Sequence, residues 1–189
     1  MRKMIVLMAV ANAAMTASFT QTAQVREDPQ AIVGQRYRDV READPNGVYH
    51  RLSDYVGHGK WVLVDFWASW CGPCKREMPY VVAAYKNFHA KGLEIVGLSF
   101  DADLDDWKDA IESWNMPWIH LSDLKYWQSK AGEVYGVHSI PDNLLIDPDG
   151  IIVDRGLRGP QLDERLSQIF KEFPPEMETA HPENGRAVF

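Results

Sequence analysis

At 189 residues, 46% of them hydrophobic and with seven tryptophans, the chain carries enough apolar surface for one well-buried domain plus short extensions. A net charge of −7 argues against nucleic acid and anionic membrane surfaces as partners, since both favour basic patches. No run of about twenty apolar residues is present, which excludes an ordinary membrane span, and two cysteines are too few for a disulfide-stapled scaffold.

Arg2-Lys3, the apolar stretch Met4 to Ala11 and the small residues Ala14, Ala17 and Ser18 have the anatomy of a secretory signal peptide, assigned to residues 1–20. A frayed amphipathic start is the competing reading. Residues 21–31 read as a loose linker, and 32–173 as the folded domain. The turn signal Asp44-Pro45-Asn46-Gly47 separates Tyr37–Val40 from Val48–Leu52 and predicts an N-terminal hairpin. Trp61 to Phe66 is a short apolar run rich in β-branched and aromatic residues, as a buried strand requires. From Gly72 to about Ala90, Met78, Val81, Val82, Tyr85 and Phe88 recur at helical spacing, with Pro79 expected to kink the helix. With Glu94–Ser99 these make a βαβ unit, whose strands should be parallel and whose crossover should be right-handed.

Asp103 to Asn115 reads as a helix, Trp118–Leu121 as a short extended segment, and Trp127 to Tyr135 as a helix ended by Gly136. Asn143–Ile146, the turn Asp147-Pro148-Asp149-Gly150 and Ile151–Asp154 predict a second hairpin. Gln161 to Phe173 closes the domain as a helix, stopped by Pro174-Pro175, and the polar tail 174–189 should be disordered.

Both cysteines sit in one motif, Cys71-Gly72-Pro73-Cys74, between a strand pattern and a helix pattern. A reactive cysteine works as its thiolate, and a helix N-terminus lowers the thiol pKa through unpaired N–H groups and the helix dipole. Pro73 suits the first turn, where its missing N–H costs nothing. The arrangement therefore points to thiol–disulfide exchange. Zinc is the competing use of Cys-x-x-Cys, but it needs two further ligands, and the six histidines show no ligand-type spacing.

The stretch Val64-Asp65-Phe66-Trp67-Ala68-Ser69-Trp70-Cys71-Gly72-Pro73-Cys74-Lys75 resembles the active-site segment of thioredoxin. The wider pattern resembles the extracytoplasmic TlpA/ResA-like proteins. It is carried by Gly34-Gln35, Leu52-Ser53-Asp54-Tyr55, Lys75-Arg76-Glu77-Met78-Pro79, Gly97-Leu98-Ser99-Phe100-Asp101 and Val137-His138-Ser139-Ile140-Pro141. The resemblance covers residues 32 to 172 and implies an α/β thioredoxin fold: a central mixed sheet flanked by helices, with an N-terminal β-hairpin extension and a helical insertion.

It also implies roles. Cys71 is the attacking thiolate and Cys74 the resolving one, a mixed disulfide being the intermediate. Asp65 occupies the offset of a buried thioredoxin aspartate that takes the resolving cysteine's proton, and its pKa should be raised; the alternative is an aspartate at the solvent end of the strand. Glu77 either tunes the thiols or is an exposed first-turn glutamate that favours the helix dipole. Pro141 should be cis, with the backbone of Ile140 pairing to an extended substrate; base frequencies alone favour trans. Asp142 would disfavour a Cys71 thiolate. Trp67, Trp70 and Pro73 line the apolar surface around the sulfurs, unless Trp67 is wholly core.

The function so implied is reduction of disulfides in extracytoplasmic proteins, periplasmic or secreted, without a cofactor. The direction rests on the Gly-Pro dipeptide, shared with thioredoxin. A DsbD- or CcdA-like membrane transporter would supply electrons, apocytochrome c or other oxidised proteins would be substrates, and the chain would act as a monomer. Other readings are an oxidase or isomerase of the same fold, a peptide-binding module without catalysis, and a peroxidase. The peroxidase reading expects Thr-x-x-Cys, whereas Cys71 follows Trp67-Ala68-Ser69-Trp70.

Overall fold

The computed structural model describes residues 32–172; the signal peptide, linker and tail expected at 1–20, 21–31 and 174–189 lie outside them. The elements run β1 (Arg41–Ala43), β2 (Tyr49–Arg51), β3 (Trp61–Trp67), α1 (Gly72–Phe88), β4 (Leu93–Ser99), α2 (Leu104–Ser113), β5 (Ile119–Leu121), α3 (Lys130–Tyr135), β6 (Asp142–Ile146), β7 (Ile152–Arg155) and α4 (Pro160–Glu172). Five strands form one sheet in the order β5-β4-β3-β6-β7, with β3–β4 and β4–β5 parallel and β3–β6 and β6–β7 antiparallel. None of the described helices is long and apolar enough to cross a membrane.

β3 is the centre of this sheet, and its residues from Val62 to Trp67 are all buried. Alternation sends neighbours to opposite faces. Phe66 meets Phe100 and Tyr135, while Trp67 meets Trp114 and His120. Trp67 is therefore core, not part of the surface around the sulfurs. α1 and α4 pack together through the stacked rings of Phe88 and Phe170, 5.4 Å apart.

Local chemistry sets the element ends. Asp103 caps α2, its Oδ1 accepting from the N–H groups of Asp105 and Asp106. α1 stops at Phe88, short of Ala90, in a single 3₁₀ turn closed by Gly92 at φ +107°. Pro79 lies inside α1 without ending it. The helix expected from Trp127 splits in two: Tyr126–Gln128 is a 3₁₀ turn, and Ser129 caps α3 by accepting from Gly132 N.

The N-terminal hairpin forms with its first strand shifted. Asp44 Oδ1 accepts from Asn46 N and Val48 N, so the turn fixes pairing right beside it, Ala43 opposite Tyr49 and Arg41 opposite Arg51. The start of the Tyr37–Val40 stretch instead follows the other hairpin, where Tyr37 N donates to Gly150 O and Arg36 bridges Ile151, while Val40 O accepts from Leu52 N. The hairpin joins the domain through reciprocal Ala43–Ser122 bonds and the wholly buried Leu52.

Candidate active site

α1 begins at a sulfur. Cys71 is its N-cap, in extended conformation, and its Sγ accepts from Cys74 N at 3.1 Å. Cys71 and Cys74 form a disulfide, both residues buried, while Gly72 and Pro73 between them are exposed. In the reduced protein the same N–H and the positive end of the helix dipole would favour a thiolate at Cys71.

The loop leading into Cys71 is fastened to the end of β4. Asp101, buried, accepts from Ser69 N at 3.1 Å, from Ser69 Oγ at 2.5 Å and from Ser99 Oγ at 2.6 Å. Trp70, next in the loop, donates from Nε1 to Phe100 O at 3.3 Å and leaves its indole exposed.

Asp65 lies inside β3, opposite Gly97 on β4 and Asn143 on β6, and is not at the strand's solvent end. Burial pushes its carboxyl up to about 7; Arg158 pulls it down, and the nearby Glu77 and Asp142 add to the rise. Such a group changes charge near neutral pH, as a proton acceptor must.

Glu77 is in the second turn of α1, so the first-turn reading fails. Its Oε1 accepts from Gly159 N, which ties α1 to the segment before α4. The adjacent Arg158 donates to Pro141 O. The Ile140–Pro141 bond is cis. Because Asp142 pairs with Phe66 in antiparallel register, Pro141 stands at the end of β3 from which the Cys71 loop departs. One segment, Gly156–Gly159, thus touches the cysteine helix and the proline. It is held by Asn143, whose side chain donates to Leu157 O at 2.7 Å and accepts from Leu157 N at 2.9 Å.

The concern over Asp142 is met by Arg155, which binds its Oδ2 through Nη2 at 2.6 Å and Nε at 2.9 Å. Arg155 also donates to Tyr135 O and Gly136 O. The negative charge beside the proline is compensated within the fold.

The structure therefore gathers Asp65, Glu77 and Pro141 around Arg158, and exposes Trp70 and Pro73 beside the sulfurs. Ile140 is half-buried next to Pro141. Sequence gives Arg158, Asp101 and Arg155 no role of their own, because Pro141, Ser69 and Asp142, which they hold, come near them only in the fold. A buried serine–aspartate pair at a strand end, Ser99 with Asp101, was the one local signal available. Among the described residues no group of three or more His, Cys, Asp or Glu side chains converges as metal ligands would.

Residues 33–155 match the family described as AhpC/TSA. The thiol-disulfide oxidoreductase ResA of Bacillus thuringiensis subsp. konkukian is 32% identical over 148 residues, spanning 76% of this chain and 79% of that protein. The thioredoxin domain of a thiol-disulfide oxidoreductase from Bacteroides vulgatus superposes with a TM-score of 0.67 at 34% identity, covering 72% of this chain and 96% of that domain. A thiol:disulfide interchange protein from Bacteroides sp. gives 0.65 at 32% identity, over 80% and 96%. Relatives and geometry agree: the chain belongs to the AhpC/TSA family, has a thioredoxin-like fold, and is an enzyme, a thiol-disulfide oxidoreductase.

Proposed function

We propose that this enzyme reduces disulfides in extracytoplasmic proteins. The Cys71 thiolate attacks one sulfur of a substrate disulfide; the Cys71–substrate bond forms, the substrate S–S bond breaks, and the departing thiolate takes up a proton. Cys74 then gives its proton to Asp65 and attacks Cys71 Sγ, releasing the second substrate thiol and leaving the Cys71–Cys74 disulfide. Two electrons from a membrane dithiol donor of the DsbD or CcdA kind reset it. Apocytochrome c is one substrate of the required chemistry, an oxidised polypeptide with neighbouring cysteines.

The observation that carries this reading is Cys71 as N-cap of α1, with the N–H of Cys74 directed at its sulfur. Asp65, held near neutral pKa by burial, supports the resolving step. Glu77 and Arg158 act through Asp65 and the Pro141 segment, and Ile140 would pair its backbone with the substrate. The test is insulin reduction with dithiothreitol as electron source. The parent chain should accelerate it and Cys71→Ala should return it to background; a parent that leaves the rate at background while binding the oxidised polypeptide equally well with and without Cys71 would favour a peptide-binding module instead.

A further inference from the structure

The seven tryptophans of this chain are not spread evenly between core and surface. Only Trp70 and Trp127 are exposed, and their rings meet, 5.9 Å apart. Tyr126, also exposed, completes the group: its ring lies 4.8 Å from that of Trp70 and 6.1 Å from that of Trp127. Among the described residues eight large apolar side chains are exposed, and three of them sit together here.

The group is built, not loose. Trp70 is fixed by its bond to Phe100 O, and the Phe100 ring supports Trp127 edge-on at 5.2 Å. Tyr126 stands at φ +54°, a left-handed conformation that glycine adopts freely and bulky residues avoid. The chain keeps a strained tyrosine there, with its ring against Trp70 and open to solvent. Leu124, two residues earlier, shares this φ but is half-buried, so of the two only Tyr126 turns a strained residue's ring to solvent.

We propose that Trp70, Tyr126 and Trp127 form an aromatic subsite for an aromatic or large apolar side chain flanking the reactive cysteine of a substrate polypeptide. This rests on the reading that Cys71 forms mixed disulfides with polypeptides. Trp70 directly precedes Cys71, so a polypeptide joined to Cys71 Sγ must run close to that indole. In an extended chain, a residue two places from its cysteine lies about 7 Å away, a step comparable with the 4.8 to 6.1 Å spacing of the three rings. None of the three carries a charge, which favours an apolar flank. A membrane is the poorer occupant for a chain of net charge −7.

The test uses full-length protein with Cys74→Ser, which halts the reaction at the mixed disulfide. Two symmetric peptide disulfides, identical except for Trp or Ser two residues from the cysteine, compete for Cys71, with hydroxyethyl disulfide as a probe of the thiolate alone. The Trp peptide should be favoured roughly threefold to tenfold. Tyr126→Gly, which relaxes the backbone and should not lower the melting temperature, should bring the ratio near one, as should Trp127→Leu, which retains an apolar contact on Phe100. Tyr49→Ser, exposed on β2, should keep the ratio. Because both peptides meet the same Cys71, the ratio is insensitive to a general loss of thiol reactivity. Equal capture of the two peptides by the parent, or an unchanged preference in both platform variants, overturns the subsite and leaves the mixed-disulfide reading standing. No adduct with either peptide or with hydroxyethyl disulfide overturns that reading, and the subsite with it.

Discussion

Asp65 is placed so that its environment sets its chemistry. An aspartate in water loses its proton near pH 4; inside β3, burial moves that step to about 7, against the pull of Arg158. The consequence is a pH profile. Release of a mixed disulfide should speed up as pH rises through about 7, as Asp65 loses its proton and can accept that of Cys74. Asp65→Asn should slow release about 10²-fold at pH 8 and flatten the profile, the loss typical of a missing general base. Arg158→Gln removes the charge that lowers Asp65 and should shift the midpoint upward, while Arg158→Lys should shift it less. Stopped-flow measurement of mixed-disulfide decay between pH 6 and 8 checks all three; an Asp65→Asn rate equal to the parent's would remove Asp65 from the mechanism.

The elements that hold the site depend on close approaches that only the fold reveals. Gly97, opposite Asp65 on β4, has no side chain because two rings occupy its space. A Cβ there would lie 2.6 Å from His120 Nδ1 and 2.9 Å from Trp67 Nε1. Both atoms belong to buried rings that cannot swing aside, so Gly97→Ala should cost about 1–3 kcal/mol, as overpacking does. Urea denaturation of the oxidised protein should show a lower midpoint, and an unchanged midpoint would mean that the rings move freely. The strand, helix and turn pattern was legible in the sequence because it is written locally, in apolar spacing, in Asp44–Gly47 and Asp147–Gly150, and in the two cysteines. The same holds for Asp65, whose charge inside an apolar run marked it. Arg158 and Asp101 were not legible: Asp101 grips Ser69 from 32 residues away, and Glu77 meets Gly159 across 82. Ser129 escaped for a different reason. It looks like an interior residue of a longer helix until its side chain is seen capping Gly132 N.

At the scale of the molecule, a further buried carboxyl ties the N-terminal hairpin to the domain. Glu42 on β1 accepts from Ala131 N at 3.3 Å, and burial, with the charge of Asp123, raises its pKa to about 7. Unfolding returns this group to its ordinary value, so between about pH 4.5 and 7 the unfolded chain holds fewer protons than the folded one. Glu42 therefore favours the folded state less as pH rises through that window. His120 works oppositely: burial lowers its pKa to about 3, so its contribution grows with pH up to about 6.5. Substitution separates the two. Glu42→Gln keeps an oxygen for Ala131 N and should gain stability over the parent from pH 5 to pH 8, on the order of 3 kcal/mol if the full shift is expressed. Urea midpoints of parent and variant at the two pH values check this, and a constant difference would contradict it.

The direction in which the Cys71–Cys74 pair passes electrons decides whether the enzyme removes disulfides or supplies them. The most direct measurement is its reduction potential, from free-thiol counts after equilibration in dithiothreitol and glutathione buffers. A reductase built on this site should give a value near that of thioredoxin, about −270 mV. A value near that of the oxidant DsbA, about −120 mV, would contradict it and make the enzyme a donor of disulfides.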